Sequence, residues 1–306
     1  MTSSALSLPR SIAPRLHSAV VRQAPVFVVV LALMAIWYLA AVLMNVGLVR
    51  DAFEREETPY TFGDLMSGSL EAERPRLPAP HQIVQTFADD VFGYPVTSAR
   101  SLVYHSSVTL SASVAGFLIG AVFGVILATL IVHLSALQKS LLPWIICSQM
   151  VPILAVAPIV IVVLGAIGIR GLLPKSIISA YLCFFPVAIG MVKGLSSPDP
   201  IQCDLMRTWS ATPAQVYWKL RWPAAVPFLF ASLKVAITIS LIGAIVGELP
   251  TGAQAGIGAR LLVGSYYGQT VQIWAALLAA SLLAAALVGL ITMTERWVGR
   301  RMGAQP

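Results

Sequence analysis

The chain has 306 residues, of which 58% are hydrophobic and 11% charged, with a mean hydropathy of +0.83. An average soluble domain carries about 25% charged residues, so this chain has too few to coat a water-soluble globule of its size. That excludes a disordered protein, a disulfide-stapled secreted module and an ordinary soluble enzyme, and it points to an all-α polytopic membrane protein. The net charge of +7 then reads as basic loops on the cytoplasmic side and not as nucleic-acid binding.

A helix needs about 20 apolar residues to cross the hydrocarbon. Six segments meet this: Pro25–Val46, Ser107–Leu134, Leu141–Gly165, Pro174–Gly194, Pro227–Gly247 and Val271–Thr292. Arg10, Arg15 and Arg22 precede the first run as in a signal peptide. The run is longer than the roughly 7–15 residues of a signal core and no A-x-A site follows, so it is read as a retained span. The second to fifth spans are rich in Gly, Ala, Ser and Pro, which let helix backbones approach closely in lipid. Cys147, Cys183 and Cys203 are odd in number and imply no disulfide framework; they read as small apolar filler.

The segments divide as follows: 1–24 cytoplasmic, 25–46 first span, 47–106 external, 107–294 core of five spans, and 295–306 a basic cytoplasmic tail. With the N-terminus inside, the inner segments hold eleven bases against three acids, and the outer ones eight bases against ten acids. The asymmetry places both termini in the cytoplasm. The external stretch is acidic in its first half, with Glu54, Glu56, Glu57, Glu71 and Glu73 forming either a solvated face or a contact for a soluble partner. Leu77-Pro-Ala-Pro-His81 breaks helix, and Gln82–Val91 predicts a short amphipathic helix lying on the membrane. A loop of about 30 residues near 195–225 faces the cytoplasm, and Glu248–Thr270 is external and Gly-rich, with Gly252, Gly256 and Gly258. Tyr266, Tyr267 and Trp274 suit an interfacial aromatic belt.

No phosphate-cradling G-x-x-x-x-G-K-[ST] loop is present, so the chain does not hydrolyse ATP by itself. H-E-x-x-H and G-x-S-x-G are missing too, and the histidines lack metal-ligand spacing. Charge within a span is expensive in lipid. Lys234 is the one such base, and it lies close enough to a span end to snorkel outward. Without a buried acid–base chain, coupling to protons or sodium is disfavoured. A channel or secondary carrier working alone is the alternative.

The 195–225 loop reads Asp204-Leu-Met-Arg-Thr-Trp-Ser-Ala-Thr212, then Pro213-Ala-Gln-Val-Tyr-Trp-Lys-Leu-Arg-Trp-Pro-Ala-Ala-Val-Pro227. It resembles the EAA loop of binding-protein-dependent ABC importer permeases, in their nitrate/sulfonate/taurine-type branch. Asp204 stands for the Glu, Arg207 and Thr208 match, Ser210 replaces the Gly ahead of Ala211, and Gln215, Lys219, Pro223 and Pro227 match. Leu77-Pro-Ala-Pro, His105 with Ser107–Thr109, Gly116-Phe-Leu-Ile-Gly120, Val151–Pro158, Phe184-Phe-Pro186 and Glu248 resemble further elements in the same order. Residues 50–76 have no counterpart in the branch.

The resemblance implies a type I importer permease of the bacterial inner membrane. It implies a second permease copy, ABC ATPase subunits docked at the loop, and a periplasmic substrate-binding protein. No cofactor belongs to this chain, since ATP and magnesium would sit in the ATPase. A helix–turn–helix knob would dock at Asp204–Lys219, with Asp204 near the start of the first short helix, where a carboxylate suits the dipole. If the turn needs a positive φ, Ser210 carries a strain that Gly avoids. Candidate pathway residues are the polar Ser148, Gln149, Thr238 and Ser240, with Glu248 at the end of the fifth span. Pro152 and Pro158 are either kinks or pathway residues, and Phe184 and Phe185 either packing residues or a hydrophobic gate. The branch handles nitrate, sulfonates, taurine, bicarbonate and pyrimidine precursors.

Overall fold

A computed structural model describes residues 13–250 and 255–302; Arg10 and Gly252 lie outside them, as do the side chains of Arg15 and Arg22. Among the described residues the chain is helical, with no strand. In order these are α1 (Ala13–Arg55), α2 (Phe62–Glu71), α3 (Pro80–Phe92), α4 (Leu102–His133), α5 (Ser135–Ser148), α6 (Ile153–Ala166) and α7 (Leu172–Leu195). There follow α8 (Pro200–Thr208), α9 (Pro213–Val216), α10 (Trp222–Gly247), α11 (Ile257–Tyr266) and α12 (Thr270–Arg301). The chain divides into two compact units, with the boundary between Val84 and Gln85.

In the first unit α1 runs on past Val46, where a span was expected to end, to Arg55. Its membrane portion exposes nearly every large apolar side chain from Val26 to Ile36, as a lipid-facing helix does. Asn45 supplies the reason for the overrun. It is fully buried, its Nδ2 donates to the carbonyls of Ser69 and Leu77 at 3.1 and 2.8 Å, and its Oδ1 accepts from the amides of Arg76 and Leu77 at 2.8 and 3.3 Å. One side chain thus satisfies four backbone groups of the returning segment. The unassigned residues 50–76 are therefore ordered: they hold the end of α1 and α2, which opens on a reciprocal Thr61/Asp64 cap. Glu54, Glu56, Glu57, Glu71 and Glu73 are all exposed. The amphipathic helix expected over Gln82–Val91 is α3, two residues longer at its start.

The second unit is built on α4, α7 and α10. Gly116, Gly120 and Gly124 recur every fourth residue on α4, so they share one face. A Cβ at Gly116 would meet Ser179, one at Gly120 would meet Cys183, and one at Gly124 would meet Val187. Numbers rise together on both helices, so α4 and α7 are parallel. Gly190 and Gly194 of α7 meet Ser232 and Ala225 of α10, whereas Gly243 and Gly247 of α10 meet Ser179 and Lys175. That pair is antiparallel. Hydrogen bonds join the three: Ser179 Oγ donates to the Ser240 carbonyl and Ser240 Oγ to the Ser113 carbonyl, both at 2.8 Å.

The third expected span, Leu141–Gly165, is not one helix. It is α5 and α6, bent by 95°, with Gln149 ending α5 and Pro152 opening α6. Pro152 has no amide hydrogen to continue the α5 ladder, and residues before a proline avoid the helical region. Five helices are long and apolar enough to cross a membrane, or six if the bent pair is one span. The parallel packing of α4 and α7 decides between these. A chain leaving the far end of α4 must return to the near end to start α7, so α5 and α6 together make one crossing. The expected limits at 24, 106 and 294 all fall inside continuous helices. Lys234 Nζ pairs with Glu295 of α12.

Candidate functional site

The connection from α7 to α10 is a knob of two short helices. Asp199 caps α8, its carboxylate accepting from the Ile201 amide at 2.9 Å. Asp204 therefore does not hold the helix start, as expected from the sequence; it lies a turn further in and pairs with Arg207 at 2.9 Å on an exposed face. α8 ends in a Schellman turn. The Ser210 amide donates to the Arg207 carbonyl at 2.9 Å and the Ala211 amide to the Met206 carbonyl at 3.0 Å. This turn places its closing residue at positive φ, and Ser210 has φ of 52°. The anticipated strain is present.

Thr212 then opens α9. Its hydroxyl accepts from the Gln215 amide at 3.3 Å while Gln215 Oε1 accepts from the Thr212 amide at 2.9 Å, with Pro213 at the first helical position. Gln215 is therefore a capping residue as well as an exposed one. Residues Tyr217–Arg221 form a π-helical turn closed by the Trp222 amide on the Tyr217 carbonyl. Single π turns in otherwise α-helical segments recur at functional positions. Thr208 and Lys219 are exposed and Pro223 half-buried.

Ser210→Gly should remove about 1 kcal/mol of left-handed strain. The expected result is roughly fivefold slower hydrogen exchange at the Ala211 amide, and an unchanged rate would mean that Ser210 is not strained.

The knob displays a feature that sequence reasoning passed over. Ile201 and Leu205 of α8 and Trp209, its C-cap, stand at i, i+4 and i+8, with relative exposures of 75, 50 and 72%, and Trp218 is 62% exposed. Four-residue spacing puts the first three on one stripe. The signal was available, because the same spacing in a polar segment outside any span marks an apolar stripe without a core to face.

The candidate pathway residues do not gather at one place. Ser148 and Gln149 end α5 at the bend; the Tyr181 hydroxyl donates to the Ser148 carbonyl. Gln149 Nε2 is enclosed with no hydrogen-bond partner among the described residues. Pro152 and Pro158 are exposed on α6. Phe184 sets its ring edge to face with Phe123 of α4, centroids 5.6 Å apart, and Phe185 is half-buried. The Thr238 hydroxyl bonds back to the Lys234 carbonyl at 3.1 Å. Ser240 and Glu248 face no open surface; both are buried ties between helices.

Glu248 is the centre of a buried knot at the end of the bundle away from the knob. The Thr109 hydroxyl lies 2.9 Å from its Oε2 and the Gly258 amide donates to the same oxygen at 3.0 Å. Lys175 Nζ is 3.5 Å from Oε1 and donates to the Ala255 carbonyl at 2.9 Å. Beside it, the Ile257 amide donates to Thr109 Oγ1 at 2.8 Å and the Gly256 amide to His105 Nδ1 at 3.0 Å, while His105 Nε2 meets the Ala99 carbonyl at 2.9 Å. Because Nδ1 accepts, the proton of the neutral ring sits on Nε2. A carboxylate thus caps the start of α11, where free amides and the helix dipole favour negative charge. Burial pushes the Glu248 carboxyl above the usual range, with Lys175, the Gly258 amide and Thr109 pulling it back. Gly256 has φ of 123°, and a Cβ there would fall 2.1 Å from the Glu248 carboxyl carbon. Only glycine fits both conditions.

Among the described residues no three His, Cys, Asp or Glu side chains stand close enough to hold a metal ion.

Several known proteins are similar to this chain in sequence. A probable ABC transporter permease protein of Haemophilus influenzae is 32% identical over 182 residues, 60% of this chain and 72% of that one. A formylaminopyrimidine transport permease protein of Halalkalibacterium halodurans is 30% identical over 183 residues, covering 60% and 68%. A riboflavin transport system permease protein of Chloroflexus aurantiacus is 29% identical over 224 residues, covering 73% and 80%. The model of the binding-protein-dependent transport system inner membrane component matches residues 120–304, a range that takes in the knob, α7, α10, Glu248 and the C-terminal part of α4. The chain therefore belongs to that family, as a multi-pass ABC transporter permease of the inner membrane.

Proposed function

We propose that this permease forms half of the translocation pathway of an ATP-driven importer, and that the α8–α9 knob is where an ATPase subunit docks. The observation that carries the reading is the exposed stripe Ile201, Leu205 and Trp209, joined by Trp218, on a segment outside the spans. Exposed large apolar groups rimmed by Asp204, Arg207 and Lys219 suit a protein partner. ATP and magnesium are held by that partner, and a rigid-body motion of the knob is passed to α7 and α10. Both termini are cytoplasmic, a second copy of the chain completes the pathway, and a periplasmic binding protein delivers solute at the opposite end. Ser148, Gln149, Pro152, Pro158, Phe184, Phe185 and Thr238 are the candidates to meet it.

The solute is a small polar or anionic molecule of the nitrate, sulfonate, taurine, bicarbonate or pyrimidine-precursor kind. The relatives named for formylaminopyrimidine and riboflavin support a solute that the binding protein selects, because one scaffold serves chemically different cargoes.

The test is co-purification and uptake in proteoliposomes carrying the permease, its ATPase and its binding protein. Leu205→Glu with Trp209→Glu should lower ATPase retention by about tenfold or more, as loss of apolar anchors does, and uptake should fall with it. Asp204→Lys, which removes the pair with Arg207, should weaken both less. Uptake that proceeds with no ATPase present would instead make the chain a carrier or channel working alone.

A further inference from the structure

The π-helical turn between α9 and α10 lies within a chain of ring contacts that leads from the knob into the bundle. Trp218 is on the exposed face of the knob. Its ring meets Tyr217 at 5.0 Å and Trp222 at 5.5 Å between centroids. Tyr217 and Trp222 are half-buried and pack on the apolar core shared by α4, α7 and α10. On the far side of Tyr217 stands the last turn of α4. The Tyr217 ring is 5.3 Å from the His133 ring, and its hydroxyl is 3.1 Å from Thr129 Oγ1. Thr129 Oγ1 already donates to the Val125 carbonyl at 2.9 Å, so the Tyr217 hydroxyl is the donor of the pair. His133 is fixed in turn by Nδ1 on the Thr129 carbonyl at 2.8 Å.

Two facts make this more than packing. Tyr217 opens the π turn and its carbonyl closes it, so the residue that touches α4 is also the one that carries the wider, weaker turn. Such turns are where helices bend and change register. Further, α4 lies far from the knob in sequence, 88 residues from Thr129 to Tyr217, and has no covalent link to it. A knob joined only to α7 and α10 would reach α4 only through their packed faces, whereas Tyr217 touches it directly.

We propose that Tyr217 is a positioning residue that couples knob movement to α4, with the π turn as the hinge and the Thr129 and His133 contacts as the linkage. This rests on the reading that an ATPase docks on the knob. Tyr217 is half-buried while the proposed docking stripe is exposed, so docking and coupling are separable by mutation.

The experiment uses the complete complex in proteoliposomes and measures ATPase retention, ATP hydrolysis and solute uptake together. Tyr217→Ala should keep ATPase retention and hydrolysis near the wild-type level while the solute moved per ATP falls about tenfold, within the range by which single residues modulate coupling. Tyr217→Phe and Thr129→Val, which remove only the hydrogen bond, should each lower the ratio by about twofold to threefold. A merely structural role would lower the amount of complex and leave this ratio alone. An unchanged ratio in Tyr217→Ala overturns the proposal. So does loss of ATPase retention in step with uptake, which would make Tyr217 part of the docking face. If Tyr217→Ala does not accumulate in membranes, Tyr217→Phe combined with His133→Ala carries the test by the same criteria. Failure of the underlying reading looks different: the unmodified permease would retain no ATPase.

Discussion

Gly120→Leu will leave the chain unable to form its central helix pair. A Cβ at this position would lie 2.3 Å from Cys183 Sγ and 2.8 Å from the Ala180 carbonyl oxygen. The sulfur could rotate away, but the backbone of α7 cannot. Even Gly120→Ala should cost about 1–3 kcal/mol, the usual range for overfilling a packed interior. Leucine adds three carbons along the same line and forces the helices apart. Separation also breaks the Ser179–Ser240–Ser113 hydrogen bonds, which need the same close approach. The expected outcome is loss of the monodisperse solubilised protein for Gly120→Leu and a lowered melting midpoint for Gly120→Ala. Gly289→Leu is the control, since nothing lies within 4 Å of the added Cβ and the protein should behave as wild type. Normal folding of Gly120→Leu would show that the α4–α7 contact is not as close as described.

The second large effect is at Glu248. Glu248→Ala leaves the Gly258 amide and the Lys175 ammonium without their carboxylate inside the protein. Removing one partner of a buried pair costs about 3–5 kcal/mol. For a chain of this size each kcal/mol lowers the melting midpoint by roughly 2–4 °C. Glu248→Gln keeps an acceptor oxygen for the Gly258 amide and should cost far less. The pH dependence has a definite sign. Because burial raises the Glu248 carboxyl above its unfolded value, the folded state binds the proton more tightly. This group's contribution is therefore full below the unfolded carboxylate pKa and is lost as pH rises through the folded one. The margin of wild type over Glu248→Gln should accordingly narrow from acid to neutral pH. A margin that widens with pH would mean that Lys175 outweighs burial.

Much of this was legible in the sequence because it rests on local chemistry. Apolar run length placed all six crossings, though α1 runs on from Val46 to Arg55 and α12 from Thr292 to Arg301. The knob was legible because Pro213, Thr212 and Gln215 are cap residues at fixed spacing, and a serine where the family has glycine foretold the strained turn. What escaped had non-local causes. The break between α5 and α6 lies inside a run long enough for one span, where a proline at 152 reads the same whether it kinks a helix or ends one. The reach of α1 to Arg55 depends on Asn45 finding backbone groups about 30 residues away. Asp204 opens the family motif, whereas the chain places its helix cap at Asp199, just before Pro200. Polar groups in or beside spans, such as Ser240 and Glu248, suggest a pore when read from the sequence. Only the packed helices reveal that each is occupied by a partner more than 100 residues away.

Those long separations set a clock on biosynthesis. Asn45 finds its partners as soon as about 30 further residues have emerged, so the first unit can close while the rest of the chain is still unmade. Thr109 and His105 must wait much longer, because Glu248 follows Thr109 by 139 residues. At a synthesis rate of about 5–20 residues per second, that interval is roughly 7–28 s. During it α4 sits in the bilayer with a hydroxyl and an imidazole that lack their final partners. The Glu248 knot is therefore a late clasp, and until it fastens, α4 and α7 are held together chiefly by the glycine face between them.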